Sequence, residues 1–283
     1  MKSKNTIATV LAIAGSDPTG GAGIQADLKT MTTLGVYAAA AITCVTVQNS
    51  KGVSRIEPLS PGLVREQVLA VLADHHVTHI KIGMVGTPEL ACCLGELIAD
   101  FRGQVIYDPV MAASTGQGLA GQDTLRAILN RLMANITVIT PNLPELMALV
   151  TAMGEKKIGM METALEIEQA AAILLRAYPN LACVVVKGGH GQGDRLADYC
   201  FHRSGKSQSI KHARIKTRNA HGTGCTTASA LTALHLRTGD YEQAFAQAIP
   251  YLQTLLALSA PADIVVNADG QGPLLHHLYL KKK

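Results

Sequence analysis

Apolar, β-branched runs alternate with helix-like segments along almost the whole chain. That alternation limits the fold more than any other feature. The runs lie at 7–14, 38–47, 79–84, 105–110, 137–140 and 183–187. Between them, helical periodicity marks 24–34, 61–75, 88–100, 122–132, 143–150 and 164–177. Several strands are unbroken apolar runs, as expected when helices cover both sheet faces. Strand–helix alternation implies right-handed crossovers, hence an α/β chain with a central, mostly parallel sheet flanked by helices. Gly35 follows Leu34 as a helix C-cap. Segments 196–202 and 209–215, joined by Arg203-Ser204-Gly205-Lys206, read as an antiparallel hairpin. Helices follow at 226–237 and 241–259, and 154–161 reads as an exposed loop. Neither repeats nor a linker occur. One domain is expected over 1–283, with a flexible tail at 278–283.

Composition narrows the function. Apolar residues make up 48% and charged residues 16%, the balance of a globular chain rather than a disordered one. Aromatic content of 4% with no tryptophan argues against stacking platforms, and so against a nucleic-acid partner. The net charge of +4 suits anionic small molecules. Adjacent Cys92 and Cys93, strand-borne Cys44, Cys183 and Cys200, and the absence of any C-x-x-C pair indicate free thiols in a reducing cytoplasm. Met1-Lys2-Ser3-Lys4 before an apolar stretch imitates a signal peptide. The stretch is short and β-branched, however, and runs into a glycine-rich loop as a first strand does. No run reaches the ~18 apolar residues of a membrane span.

In open α/β sheets, ligands gather beyond the carboxyl ends of the strands. Those ends carry Gly15-Ser16-Asp17-Pro18-Thr19-Gly20-Gly21-Ala22-Gly23, Gln48-Asn49, Gly83-Met84, Asp108-Pro109-Val110-Met111, Asn142-Leu143-Pro144-Glu145 and Lys187-Gly188-Gly189-His190. Six polar or glycine-rich ends fit one organised site better than six accidents. Gly222-Thr223-Gly224-Cys225 before a helical segment adds N–H groups and a helix N-terminus, a place for an anion such as a phosphoryl group in transfer. The same field should favour a thiolate at Cys225.

Other signals have two readings. Gly21-Ala22-Gly23-Ile24-Gln25-Ala26 matches a dinucleotide fingerprint, but it begins about seven residues past its strand, and no carboxylate ends the second strand. Asn142 and Glu145 form a capping box or, alternatively, bear on a hard cation such as Mg²⁺. Asp108 either joins that cation or braces its turn. Asp27 either serves the helix dipole or accepts from an amino group on a ligand. Lys187, ending an apolar strand, is expected to reach an anion. His190 and His221 read as supporting or surface groups.

Taken together, 13–30 and the later motifs Ala41-Ile42-Thr43, Lys81-Ile82-Gly83-Met84, Asp108-Pro109-Val110-Met111, Thr140-Pro141-Asn142-Leu143-Pro144-Glu145, Lys187-Gly188-Gly189-His190 and His221-Gly222-Thr223-Gly224-Cys225-Thr226 resemble bacterial hydroxymethylpyrimidine/phosphomethylpyrimidine kinases. These are thiamin-pathway members of the ribokinase-like superfamily. The resemblance runs in order through nearly the whole chain. It implies a three-layer ribokinase-like fold, a homodimer, ATP and Mg²⁺. It also implies two successive phosphorylations, from 4-amino-5-hydroxymethyl-2-methylpyrimidine to its diphosphate. By position, Asp27 and Gln48 would hold the aminopyrimidine, Met84 would pack on its ring, and Gly15 and Val110 would line the same pocket. Cys225 would act as base, and Gly222, Thr223 and Gly224 would form the anion hole. Lys187, Asp108 and Thr217 would serve the nucleotide, and Asn142 and Glu145 the magnesium.

Two positions depart from the family pattern. Ala220 stands where threonine is common, and 112–116 lacks a lysine often found before its Ser-Gly. Both concern loop contacts to phosphate. A pyridoxal kinase of the same fold is the nearest rival, and a nucleotide-binding protein without catalysis is a further one. The first transfer has a hydroxyl acceptor and benefits from a base; the second has a phosphate oxyanion and does not.

Overall fold

A computed structural model describes residues 6–111, 118, 121–155, 163–189, 191 and 193–281. Nine strands form one sheet in the order β3-β2-β1-β4-β5-β6-β7-β8-β9. In chain order the elements are β1 (Thr9–Ser16), α1 (Gly23–Thr33), β2 (Ala38–Asn49), β3 (Gly52–Pro58), α2 (Pro61–Asp74), β4 (Val77–Ile82), α3 (Pro88–Ile98), β5 (Gln104–Tyr107) and α4 (Gln122–Ala127). There follow β6 (Val138–Ile139), α5 (Leu143–Ala152), α6 (Ala164–Ala177), β7 (Cys183–Val186), β8 (Arg195–His202), β9 (Ser207–Ala213), α7 (Thr223–Thr238), α8 (Tyr241–Ser259) and α9 (His276–Leu280).

The six strands from β2 through β1 to β7 pair in parallel, whereas β3, β8 and β9 are antiparallel. The chain starts at β1, adds β2 on one side and then β4 on the other. The switch point therefore lies beyond Ser16 and Ile82, where such sheets bind ligands. Strand side chains alternate between two apolar layers. Leu11, Ile13, Ile80 and Ile82 pack with Val64 and Val68 of α2 and Leu90 and Leu94 of α3. Val10, Ile106 and Val185 pack with Met31 of α1, Leu231 of α7 and Phe245 of α8. The result is the helix–sheet–helix arrangement expected from the alternation.

Several bounds moved for physical reasons. The first strand, expected at 7–14, occupies Thr9–Ser16 in the middle of the sheet. The antiparallel edge strand β3 was not foreseen. Its alternating, largely exposed side chains lack the apolar run of a buried strand. The helix expected over 122–132 is α-helical only to Ala127 and becomes a π-helical turn at Ile128–Leu132. The hairpin's second strand begins two residues earlier than expected, at Ser207 rather than 209. The expected tail begins inside α9, where Tyr279 meets Tyr251 edge-on. The predicted loop from 156 to 161, the stretch 112–116 and His190 lie outside the described residues. All six cysteines are free thiols, as expected. Among the described residues, no helix is long and apolar enough to cross a membrane.

Candidate active site

The first turn of α7 is Thr223-Gly224-Cys225 itself, three residues earlier than the 226 expected. Cys225 is therefore inside the helix, not ahead of it. Gly222 caps the helix with φ +85°, and a Cβ there would lie 1.8 Å from the Gly21 carbonyl oxygen. Only glycine allows that left-handed turn to press against the first loop. The opening N–H groups of a helix have no acceptor within it, so this turn is built to receive an anion.

A cation and two carboxylates face it. Lys187 Nζ donates to Asp108 Oδ1 at 2.6 Å and lies 3.7 Å from Glu145 Oε2. A Cβ on Gly224 would sit 3.2 Å from Lys187 Nζ and 3.9 Å from Asp108 Oδ2. Thr140 Oγ1 also donates to Asp108 Oδ1. Asp108 Oδ2 is buried with no hydrogen-bond partner among the described residues. Burial opposes the Lys187 charge, but Asp108 and Glu145 outweigh it and hold the ammonium above its ordinary value. Burial raises the Glu145 carboxyl; Lys187 pulls it down and Asp108 pushes it up, and the balance is a rise.

Asn142 and Glu145 form the capping box in full. Asn142 Oδ1 accepts from the Glu145 N–H at 2.8 Å, and Glu145 Oε2 accepts from the Asn142 N–H at 2.7 Å. Both sit where Lys187 continues β7, since the Lys187 N–H bonds the Pro141 carbonyl. The cap orients Glu145, and the carboxylate still borders Lys187.

On the opposite side, Gln48 lies 3.0 Å from His221 Nε2, which lies 2.8 Å from Asp17 Oδ2. Asp17 also accepts from the backbone of Thr19, Gly21 and Ala22 and so shapes the first loop. Burial would raise its carboxyl, but His221 and Thr19 more than reverse this. A Cβ on Gly15 would meet Cys44 Sγ at 2.8 Å and Met84 Sδ at 3.3 Å, so Gly15, Cys44 and Met84 pack closely together. Val110 follows at the end of β5, its N–H on the Asp108 carbonyl. Thr217 lies ahead of α7 and accepts from the Asn219 N–H; no described contact joins it to Lys187 or Asp108.

Two expectations change. Cys225 was expected as a thiolate, but burial pushes its thiol up to about 12. Lys81 and the Gly23 N–H lower it, while Asp108 and Asp27 raise it. Asp27 is wholly buried past the first turn of α1. Its oxygens accept from Lys81 Nζ at 2.8 and 2.9 Å and from Ser229 Oγ at 2.7 Å. A ligand amino group would compete with Lys81 there. Lys81, missed as a site group, carries the same signal that exposed Lys187, a lysine inside an apolar strand.

The phosphomethylpyrimidine kinase family model matches residues 17–273. The chain belongs to this family. The hydroxymethylpyrimidine/phosphomethylpyrimidine kinase of Rhizobium meliloti (strain 1021) is 39% identical over 272 residues, 96% of this chain and 97% of that one. The phosphomethylpyrimidine kinase from Clostridium difficile 630 superposes with a TM-score of 0.74 and 28% identity, covering 88% of this chain and 99% of that one. The pyridoxal kinase from Staphylococcus aureus, solved in complex with ADP, superposes with a TM-score of 0.82 and 27% identity over 97% of this chain and 95% of that one. Membership in the family makes the chain a phosphotransferase, and kinase relatives solved with ADP accord with ATP as its donor.

Proposed function

We propose that the chain phosphorylates 4-amino-5-hydroxymethyl-2-methylpyrimidine with ATP, and then phosphorylates the monophosphate to the diphosphate, in thiamin biosynthesis. One observation carries the reading. Within a chain of this family, the α7 N-terminus, the Lys187 ammonium and the unpartnered Asp108 oxygen converge at Gly224.

Phosphoryl transfer requires positioning and charge stabilisation more than covalent chemistry. The Gly222, Thr223 and Gly224 amides receive the transferring group. Lys187 neutralises nucleotide phosphates, and Asp108 with Thr217 borders them. Gln48 orients the aminopyrimidine against Met84, Gly15 and Val110, while the Asp27 carboxylate is taken up by Lys81 and Ser229. Cys225 takes the hydroxyl proton in the first transfer.

Asp108 and Glu145 are hard oxygen donors, and one buried oxygen lacks a partner, which fits Mg²⁺. Among the described residues, no group of three or more His, Cys, Asp and Glu side chains is arranged to hold a metal. Mg²⁺ would therefore rest on one or two carboxylates plus phosphates and water, with Asn142 fixing Glu145 through the cap. Bound there, the ion would neutralise charge developing on the phosphate oxygens.

The test is an assay with Mg-ATP and either the hydroxymethylpyrimidine or pyridoxal, with products followed by mass. Mono- and then diphosphate from the pyrimidine is expected. Phosphorylation of pyridoxal alone would move the chain to vitamin B6 salvage, the activity named for its same-fold Staphylococcus neighbour. No transfer to either would reopen the non-catalytic reading. Cys225→Ala should slow the first transfer by roughly 10²–10⁴ and the second far less. Cytoplasmic location and a homodimer complete the proposal; light scattering of the purified chain tests the dimer.

A further inference from the structure

Lys81 is a wholly buried lysine on β4, a strand otherwise filled with apolar or aromatic side chains at its carboxyl end. Its ammonium is held by both oxygens of Asp27 from α1. Ser229 of α7 donates to the same carboxylate at 2.7 Å. Buried ion pairs are poor stabilisers, because desolvation consumes much of the attraction. Apolar residues of similar size would fill this space at no loss to the fold, so the pair needs another reason.

The neighbour that supplies one is Cys225. It stands four residues before Ser229, on the same face of α7. Lys81 and Cys225 act on each other electrostatically, and the Gly23 N–H at the start of α1 also favours a negative sulfur. The other charges acting on that sulfur are Asp27 from α1, Asp108 beyond β5 and Lys187 beyond β7. Of the side chains, Lys81 exerts the largest favourable influence on a negative sulfur.

We propose that Lys81, clamped by Asp27 and Ser229, is the positioning charge that lets Cys225 take up the proton of the substrate hydroxyl in the first transfer. The proposal rests on Cys225 as the base. In that step the hydroxyl oxygen bonds the γ-phosphorus while its proton passes to the Cys225 thiolate. The bond from phosphorus to the bridging oxygen breaks, and its electron pair leaves on ADP. The resting group is a thiol, so it gives its own proton to solvent before the transfer and regains one from the substrate hydroxyl. The second acceptor is already an oxyanion, and Lys81 has no comparable part there.

Lys81→Met removes the charge, and Lys81→Met with Asp27→Asn removes the whole pair without leaving a buried carboxylate unpaired. Two readouts apply, each from pH 7 to 10. One is the single-turnover rate of each transfer. The other is alkylation of Cys225 by iodoacetamide, followed on its peptide by mass. At pH 8 Lys81→Met should lose roughly tenfold or more in the first transfer and in Cys225 alkylation, the double variant less because Asp27→Asn also removes a charge that opposes the thiolate, and in both the rates should climb with pH without levelling off by pH 10. The second transfer should change by less than about threefold. A Cys225 alkylation profile identical to that of the parent protein would overturn the proposal, as would equal slowing of both transfers in the Lys81 variants. Cys225→Ala separates the two failures. If it slows both transfers equally, the base assignment falls and the proposal with it. If it is selective while the Lys81 variants are not, the proposal alone falls.

Discussion

Two residues apart on the same face of β4, Lys81 and His79 meet opposite ends of α7 and opposite fates. Lys81 faces the helix start and stays charged, since Asp27, Cys225 and Asp108 outweigh the burial that opposes its charge. His79 faces the helix end. Its Nε2 lies 2.9 Å from His235 Nδ1, and His235 stacks on Tyr241 with ring centroids 3.8 Å apart. Burial, and then His235, lower His79 to about 4. The fold thus buries titratable groups at both ends. At the start of α7 it supplies counter-charges, and at the end of α7 it packs imidazole in its neutral form.

Among the charged groups at the start of α7, the largest effect is expected from Lys187→Met. Asp108 and Glu145 then face each other without their shared cation. Transfer measured under saturating Mg-ATP should fall by roughly 10²–10³. A loss below tenfold would mean that the charges at this end are structural like those at the other.

Acid should act on the opposite end. The His79 value is depressed on folding, so its contribution is complete above pH 6.5 and is lost as pH falls toward about 4. At pH 5 the loss amounts to about 2 kcal/mol. Denaturant unfolding at pH 7 and pH 5 should show it, and His79→Gln should remove that part of the pH dependence with transfer at pH 8 unchanged. An unaltered pH dependence in His79→Gln would erase the contrast between the two ends.

The smallest effect sharpens the same contrast. The Tyr241 hydroxyl donates to Gln104 Oε1 at 2.8 Å. Tyr241→Phe should cost about 1 kcal/mol of stability and nothing in transfer. Lost activity would mean that the far end of α7 communicates with the site.

What the sequence disclosed follows the range of each interaction. The capping boxes at Asn142–Glu145 and Thr163–Glu166 close within one turn, and the helices they start were read from local residues alone. Helix α8 was read with the bounds it has, Tyr241–Ser259. The strand ends that carry Lys187, Asp108 and Gln48 were legible because open α/β sheets gather ligands there. The Lys81–Asp27–Ser229 cluster was not. Its members are 54 and 202 residues apart, and no local pattern joins them. The Cys225 thiolate failed for a related reason. The helix-start field is local and readable, whereas the burial that outweighs it is made by distant segments.

The press of Gly222 on the Gly21 carbonyl has a consequence for synthesis. The first loop leaves the ribosome long before the loop it must grip. His221 is 204 residues beyond Asp17, a wait of roughly 10–40 s at ordinary elongation rates. Until then β1, β2 and β4 can pair, and Lys81 can find Asp27, but there is no phosphate cradle. A nascent chain stalled before residue 220 would lack the α7 turn, and neither α7 nor α8 would yet cover its face of the sheet. The contact between the two loops forms only in the last quarter of the chain's own translation.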